Sequence, residues 1–268
     1  TLRRFFVEEI RESGGTCSIT GSEAKHITKV LRMKTGDRFV LMDGKGTRFQ
    51  VTIESATPRE VQVVLGKPIP KPPPSPVQIM LCQALLKSRQ MDYLIQKTSE
   101  LGVDRILPFS SERTVITLRK DRTLSKLRHW REIAQNSAKQ SDRNIPAEIE
   151  TFSPFKELVT KEKWKDALKV ILWEQERSQD LKSLLKAFSP VEKFVGMVGP
   201  EGGFTKEEIG IARDAGFVPV SLGNRILRSE TAAITMVAII QYEWGDLSPN
   251  NLIASSLSPP PTRHPQGE

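Results

Sequence analysis

The sequence is poor in the residues that build disulfide scaffolds, metal centres and membrane segments. Its 268 residues include two cysteines and three histidines, and the histidines stand far apart with no ligand spacing. A disulfide framework and a zinc site are therefore excluded as organising features. No apolar run approaches the roughly 20 residues that span a bilayer, and the N-terminus lacks the apolar stretch and cleavage site of a signal peptide. These absences favour a reducing cytoplasm, without membrane or metal partners.

The glycine-rich signatures of the common nucleotide-binding folds are also missing. Neither the G-x-G-x-x-G of a dinucleotide-binding turn nor the G-x-x-x-x-G-K-[ST] of a phosphate loop occurs. Positive charge is in excess, because 40 Lys and Arg stand against 32 Asp and Glu and give a formal net charge of +8. That surplus favours a polyanionic partner, although an ordinary solvated surface also accounts for it.

A proline-rich segment at residues 67–76 divides the chain in two, since so many prolines favour a stiff extended linker. Before it, short strand-like segments and one helical segment predict a small, mostly β domain of the barrel type over residues 1–72. The expected strands lie at 38–42, 48–55 and 60–65, and the expected helix lies at 22–31.

After the linker, apolar strands alternate with amphipathic helices. This alternation predicts an α/β domain with a largely parallel sheet over residues 73–247, in which the last helix runs from about Ser229 to Trp244. Residues 248–268 are rich in Ser and Pro, which is typical of a disordered tail.

Two loops at the ends of predicted strands concentrate the residues that can bind a ligand. Residues 199–205 read GPEGGFT, in which Thr205 with Glu208 fits a capping box. Residues 222–229 read LGNRILRS, in which Ser229 is expected to cap the last helix. The carboxyl ends of neighbouring strands meet at one edge of an open α/β sheet, so we expect one shared pocket there. Each loop taken alone is also compatible with a simple strand-to-helix turn.

These two loops, followed by Glu230-Thr231-Ala232, resemble the RsmE family of SPOUT-class methyltransferases. Members of that family methylate N3 of a uridine in 16S ribosomal RNA. Residues 3–6, 26–32 and 140–143 also resemble family segments, so the likeness extends over nearly the whole chain. Lys139 departs from the family pattern, because an acidic residue is more usual at that position.

The resemblance implies a fold, a cofactor and an assembly. It implies a PUA-like β-barrel for RNA in residues 1–72 and a SPOUT domain with a deep trefoil knot in residues 73–247. It also implies S-adenosylmethionine as the methyl donor and a homodimer in which the last helix takes part through Ile234, Val237, Ala238 and Gln241. The cofactor-binding residues that it implies are Leu172, Met197, Gly199, Pro200, Glu201, Gly202, Leu222, Gly223, Ile226, Leu227, Arg228, Thr231 and Ala232.

Arg228, Glu201 and Glu230 are the candidate catalytic residues, because they are the ionisable groups of the two loops that can act on a uracil. Uridine N3 carries a proton at neutral pH, so a base must remove it or a cation must stabilise the anion. We expect Arg228, which stays charged, to stabilise negative charge on the uracil. We expect Glu201 or Glu230 to assist proton removal or to orient Arg228. Glu230 has a second interpretation, since a carboxylate in the first turn of a helix is favourable without catalysis.

Basic residues of both domains are the candidate contacts to RNA phosphates. They are Arg3, Arg4, Lys25, Lys29, Arg32 and Arg38 in the small domain, and Lys87, Arg113, Arg128 and Arg143 in the large domain. The implied partner is 16S ribosomal RNA or the assembled small subunit. Two alternatives stay open, namely an enzyme of the same class that acts on another RNA such as transfer RNA, and an RNA-binding protein without catalysis.

Overall fold

The structure is a computed structural model that describes residues 2–10, 15–70, 72–116, 120–160, 164 and 166–247. The tail predicted at residues 248–268 lies outside the described residues. Among the described helices, none combines the length and the hydropathy that a bilayer crossing requires.

The first sheet has five strands that curl around a core of their own. They are β1 (Arg4–Phe6), β2 (Thr16–Thr20), β3 (Arg38–Met42), β4 (Arg48–Ala56) and β5 (Glu60–Pro68). Their order is β1-β3-β4-β5-β2, and only the β1–β3 pair is parallel. Phe5 of β1 and Ile19 of β2 lie on opposite edge strands but share one buried cluster with Phe39, which requires the sheet to curl. The three strands predicted here are confirmed, whereas β1 and β2 were not predicted.

Two details of the small sheet differ from the sequence predictions. The helix expected at 22–31 is a short α-helix, α1 (Gly21–Lys25), that continues as a π-helix over His26–Val30. The extended linker begins later than predicted, because β5 continues to Pro68, which pairs with Phe49.

The second sheet has seven parallel strands. They are β6 (Gln78–Ala84), β7 (Arg105–Ser110), β8 (Glu148–Ile149), β9 (Ser153–Pro154), β10 (Leu168–Leu172), β11 (Lys193–Val198) and β12 (Val218–Val220). The order is β12-β10-β11-β6-β7-β8, and β9 pairs with β7. Strands β7, β8 and β9 lie on one side of β6. On its other side β11 is the neighbour of β6, and β10 and β12 follow, so the direction in which strands are added reverses after β9. This reversal makes the carboxyl ends of β6 and β11 a switch point where open sheets bind ligands.

Helices cover both faces of this sheet. They are α2 (Ser88–Glu100), α3 (Lys120–Ser141), α4 (Phe155–Val159), α5 (Leu181–Ala187), α6 (Lys206–Asp214) and α7 (Ser229–Trp244). Successive residues of β6 alternate between two cores, since Leu81 packs with α2 and α7 in one cluster and Cys82 packs with α4 and α6 in the other. Strands buried on both faces read as continuous apolar runs, which is why the sequence predicted most of them.

Ion pairs join the small sheet to α3. Asp142 lies immediately after α3, forms an ion pair with Arg4 in which Nε is 2.7 Å away, and accepts a hydrogen bond from the buried Arg48 at 2.5 Å. Lys139, near the end of α3, pairs with Glu23 of α1. Asp142 holds a left-handed backbone conformation with φ 60°, which is uncommon for a residue other than glycine. The contact between the small sheet and α3 therefore combines ion pairs made within the chain with an apolar cluster of Phe6, Val40, Met42 and Ala138.

Candidate active site

A cavity of about 550 Å³ opens at the carboxyl ends of four parallel strands. Its walls come from the segments that follow β6, β10, β11 and β12, so the two loops singled out in the sequence lie on one site as expected. The cavity lies at the switch point of the sheet, and its volume is typical of a small-molecule site. The knot implied by the family resemblance stays a prediction.

The loop after β11 is tightly packed around its glycines. Gly203 has φ +68°, and a Cβ added there would lie 2.9 Å from a carboxylate oxygen of Glu174 across the cavity wall. The predicted capping box is confirmed, because Thr205 Oγ1 accepts from the Glu208 N–H while Glu208 accepts from the Thr205 N–H. Glu208 also accepts from the N–H of Glu112 at 2.8 Å. The loop is thus anchored at its far end to the segment after β7.

The segment after β10 surrounds the end of β12. The Trp173 N–H donates to the carbonyl of Val220, and the Ser221 N–H donates to the carbonyl of Gln179, both at 3.0 Å. Leu181 then donates back to the Ser221 carbonyl. Both ends of residues 173–181 therefore hold the strand that leads into the second loop.

Glu176 organises the same segment from within. Its carboxylate accepts from the Ser178 hydroxyl at 2.6 Å and from the N–H groups of Arg177 and Ser178, and it pairs with Arg213 of α6. The hydrogen bonds from Ser178, then that from Arg177, lower the pKa of Glu176 below its ordinary value against the opposing effect of burial.

Ser229 does not cap α7, which corrects the expectation from the sequence. The N-cap residue of α7 is Arg228, and no side chain caps this end of the helix. The Ser229 hydroxyl instead donates to the carbonyl of Gly199 at 2.5 Å and accepts from Gln83 Nε2 at 3.0 Å. Gln83 lies on β6 with 0% of its surface exposed, and it was not among the residues predicted from the sequence. Its signal was an amide that directly follows the apolar run at residues 79–82, because a buried polar group must find a partner.

The cavity combines an apolar wall with charges of both signs. Leu172, Leu222, Leu227 and the 88% exposed Ile226 supply the apolar surface. The acidic residues of the lining are Glu174, Glu201 and Glu230, and the basic residues are Lys87, Arg177, Arg225 and Arg228. Among the described residues, no ion pair joins Arg228 to Glu201 or to Glu230. Within the same part of the chain, no group of three or more His, Cys, Asp or Glu is arranged to hold a metal ion.

The structure brings eleven of the thirteen predicted cofactor residues to this cavity. They are Leu172, Gly199, Pro200, Glu201, Gly202, Leu222, Gly223, Ile226, Leu227, Arg228 and Ala232. Met197 does not line the cavity, because its side chain is 0% exposed and packs in the core shared with α4 and α6. Thr231 is exposed on α7 but also lies outside the lining. Cofactor binding by these two residues stays a prediction.

The predicted RNA contacts fall into exposed and engaged residues. The exposed residues of the small domain are Arg3, Lys25, Lys29, Arg32 and Arg38, and Arg128 is exposed on α3. Arg4 is bound to Asp142, and Arg143 donates to the carbonyls of Ser99 and Val103. Lys87 lines the cavity, and Arg113 donates to the carbonyl of Gly202 at its rim. Arg4 and Arg143 are therefore bound to partners within the chain, where they stabilise its structure.

A second, larger cavity of about 860 Å³ lies between β1 and helices α2 and α3. Its lining includes the guanidinium groups of Arg3 and Arg89 and the rings of His26 and Tyr93. Tyr93 is half exposed, and within the described residues neither arginine has an acidic partner. The lining also includes Asp92 and Glu100, so the groove carries charges of both signs, with basic residues in excess, beside flat rings.

Comparisons with known proteins agree with both parts of the structure. A family model described as the RNA methyltransferase domain matches residues 73–241, and one described as the RNA methyltransferase PUA domain matches residues 19–66. A protein of Buchnera aphidicola subsp. Schizaphis graminum is 30% identical over 92% of this chain and 98% of its own length. A protein of Bacillus subtilis is 28% identical over 90% of this chain and 97% of its own length. Both are named ribosomal RNA small subunit methyltransferase E.

Solved structures show the same likeness. The crystal structure of a ribosomal RNA small subunit methyltransferase E from Neisseria gonorrhoeae, bound to S-adenosyl methionine, aligns with a TM-score of 0.84 at 31% identity. The alignment covers 92% of this chain and all of that chain. With both domain models matched and relatives aligned over nearly their whole length, the chain belongs to the family of ribosomal RNA small subunit methyltransferase E.

Proposed function

We propose that this protein methylates N3 of a uridine in 16S ribosomal RNA, with S-adenosylmethionine as the methyl donor. The observation that carries the proposal is the single cavity in which a tight glycine loop, an apolar wall and unpaired charges meet at the switch point of a parallel sheet. The names of the relatives and the cofactor bound to the Neisseria protein support the same reaction.

The residues of the cavity fit this cofactor. Its adenine suits the apolar wall of Leu172, Leu222 and Leu227, where the loop backbone offers polar groups to the edge of the ring. Gly203 leaves no room for a Cβ beside Glu174, so the loop and the acidic residue form one close surface. The carboxylates of the lining complement a sulfonium, and Lys87, Arg177 and Arg225 complement the carboxylate of the amino acid moiety. When bound, the cofactor supplies an electrophilic methyl group.

Arg228 and the two acidic residues Glu201 and Glu230 are our proposed catalytic residues. All three line the cavity, and in the described structure Arg228 is not neutralised by either carboxylate. Arg228 is thus available to stabilise negative charge on the uracil oxygens, since guanidinium groups stay charged. One of the carboxylates accepts the N3 proton. The protein otherwise acts by holding the two reactants in line.

The RNA is proposed to bind the basic surface of the small domain and the groove between β1 and α2. Exposed Lys25, Lys29 and Arg32 lie on or beside the π-helix, and π-helical turns are frequent at functional sites. Arg3 and Tyr93 line the groove, where flat rings can stack on unpaired bases and cations can contact phosphates. RNA affinity is expected to fall steeply with salt.

A homodimer is the assembly that we propose, with an interface shifted from the one implied by the resemblance. Val237 and Gln241 are each 0% exposed and pack within the chain, so they are not available to a partner. Ile234, Ala238 and the 63% exposed Tyr242 lie on the outward face of α7 and carry no charge. We expect Ala238→Arg to convert the dimer to a monomer in sedimentation velocity. A wild-type chain that sediments as a monomer at micromolar concentration contradicts this interface.

Nucleoside mapping tests the reaction and its competing interpretations. The purified protein is incubated with isotope-labelled S-adenosylmethionine and one of three RNA substrates from a strain that lacks the gene. The substrates are small subunits, naked 16S ribosomal RNA and bulk transfer RNA. Nucleosides are then identified by mass spectrometry. We expect labelled 3-methyluridine from the small subunit or its RNA. Label found only in transfer RNA indicates the alternative substrate, and RNA binding without label indicates a protein that has lost catalysis.

A cytoplasmic location is proposed because the ribosomal substrate is there.

A further inference from the structure

We propose that Gln83 is a positioning residue, which fixes the two loops of the cavity relative to each other through Ser229. The inference rests on the proposed methyl transfer, and it adds a residue outside the cavity that sets the geometry of the reaction. Gln83 does not line the cavity, and it reaches the site only through its hydrogen bonds.

The hydrogen bonds form a chain that joins three segments. Gln83 Nε2, near the end of β6, donates to the Ser229 hydroxyl at 3.0 Å and to its neighbour's carbonyl, that of Ala84, at 3.0 Å. The Ser229 hydroxyl donates onward to the carbonyl of Gly199 at 2.5 Å. Gln83 and Ser229 are 0% and 7% exposed, so water does not compete for these bonds. In this way a central strand of the sheet holds the start of α7 and the start of the first loop together.

The two ends of this chain lie next to the proposed catalytic residues. Ser229 directly follows Arg228, and Gly199 precedes Glu201 by two residues. The Ser229 hydroxyl bonds to the other loop instead of capping its own helix. A displacement of Ser229 therefore moves Arg228 relative to Glu201. Small misplacements of this kind reduce reaction rates strongly, because catalysis by alignment depends on near-attack geometry.

Stability alone does not explain an amide at this position. The Oε1 atom of Gln83 is buried and has no hydrogen-bond partner among the described residues, and such an unsatisfied acceptor destabilises the fold. An apolar side chain of similar shape would avoid this penalty. The donor function of Gln83 toward Ser229 is the feature that an apolar residue lacks.

Gln83→Leu in the full-length protein tests the inference. We expect kcat/KM for methyl transfer to fall at least tenfold and the cofactor dissociation constant, measured by calorimetry without RNA, to rise severalfold. The midpoint of thermal unfolding should stay within about 4 °C of wild type, because about 1 kcal/mol corresponds to 2–4 °C at this size. Ser229→Ala should reproduce both functional losses, and it keeps the test decisive if Gln83→Leu does not fold.

A double-mutant cycle and a matched glutamine separate positioning from a general packing defect. If Gln83 acts through Ser229, adding Gln83→Leu to Ser229→Ala causes no further loss. Gln241 is also 0% exposed and is held by Gly102, Ser75 and Asp246, away from the cavity lining. Gln241→Leu should lower the unfolding midpoint while the folded protein keeps its kcat/KM.

Two results would overturn the inference. One is a Gln83→Leu protein with kcat/KM and cofactor affinity within twofold of wild type. The other is a loss that adds fully to that of Ser229→Ala. Failure of the proposed function has a different signature, namely a wild-type protein that methylates no RNA, and the calorimetric comparison of cofactor affinity still applies in that case.

Discussion

Two regions of the molecule differ in whether their charged side chains form ion pairs within the chain. At the contact between the small sheet and α3, Arg4 and Arg48 share Asp142, and Lys139 pairs with Glu23. At the cavity, Arg228 faces the solvent without an ion pair to either neighbouring glutamate among the described residues. Charges neutralised within a chain hold structure, whereas charges left unpaired at a concave site are available to a ligand. The difference separates arginines that are alike in the sequence.

The largest effect is expected for Arg228, which has no ion pair among the described residues. Arg228→Ala should lower kcat by about 10²–10³-fold, the loss found when a group that stabilises transition-state charge is removed. Cofactor affinity should change little, because Arg228 is assigned to the uracil. Single-turnover methylation and calorimetry with S-adenosylmethionine measure the two quantities. Near-full turnover by a variant that still binds RNA and cofactor contradicts the catalytic assignment.

Gly203→Ala tests the shape of the cavity without altering its charge. A side chain at φ +68° is strained, and the new Cβ would contact the Glu174 carboxylate. If the free protein relieves a strain of about 1–2 kcal/mol by displacing the loop, the cofactor must restore it, and binding weakens by about tenfold. The matched control is Gly210→Ala on α6, where an added Cβ meets nothing within 4 Å. That variant should keep its affinity and gain up to about 1 kcal/mol of stability. Equal affinities of the two variants would refute a tight loop.

Asp142→Asn tests the ion pairs between the small sheet and the segment after α3. Asn tolerates the left-handed backbone, so the substitution removes the charge between Arg4 and Arg48 and retains the turn. The free energy of unfolding should fall by about 1–2 kcal/mol, while cofactor affinity stays the same. Urea denaturation measures the change, and Asp214→Asn on the exposed end of α6 should shift it by no more than about 0.5 kcal/mol. A larger loss of cofactor binding than of stability would mean that the contact controls the cavity.

The smallest effect is expected for Glu176, a hydrogen-bonded carboxylate beside the cavity. Its pKa is lowered in the folded chain, so folding favours the ionised form. This stabilisation is complete above the ordinary value of 4.5 and is lost as the pH falls through the lower folded value. Glu176→Gln should therefore lower the unfolding midpoint at pH 7, and the difference from wild type should shrink toward pH 3. A difference independent of pH would assign the effect to packing alone.

Much of the large domain was readable from the sequence, for a physical reason. Its parallel strands are buried on both faces and appear as apolar runs, and the bounds of α7 at Ser229 and Trp244 match the prediction. The edge strands of the small sheet were missed, because β1 has three residues and β2 buries only Cys17 and Ile19, too few apolar residues to stand out. β8 and β9 have two residues each, too few for any periodic pattern.

The two loops of the candidate site could be predicted from the sequence, but the hydrogen bonds that join them could not. Local spacing revealed the capping box at Thr205, since both partners lie within four residues. The fate of the Ser229 hydroxyl depends on Gly199 and Gln83, which are distant in sequence, so the local rule for helix caps failed there. Arg4 and Arg143 looked like RNA contacts for the same reason, because their partners are brought close only by the tertiary fold.

The hydrogen bonds that hold Ser221 between the two ends of residues 173–181 have a consequence for synthesis. The cavity takes one wall from the segment after β10 and another from residues 220–232, nearly 50 residues later in the chain. A nascent chain that has not yet released the second wall from the ribosome has no complete cavity, however well its earlier strands are paired. The cavity therefore closes only after β12 and the loop that follows it have left the ribosome.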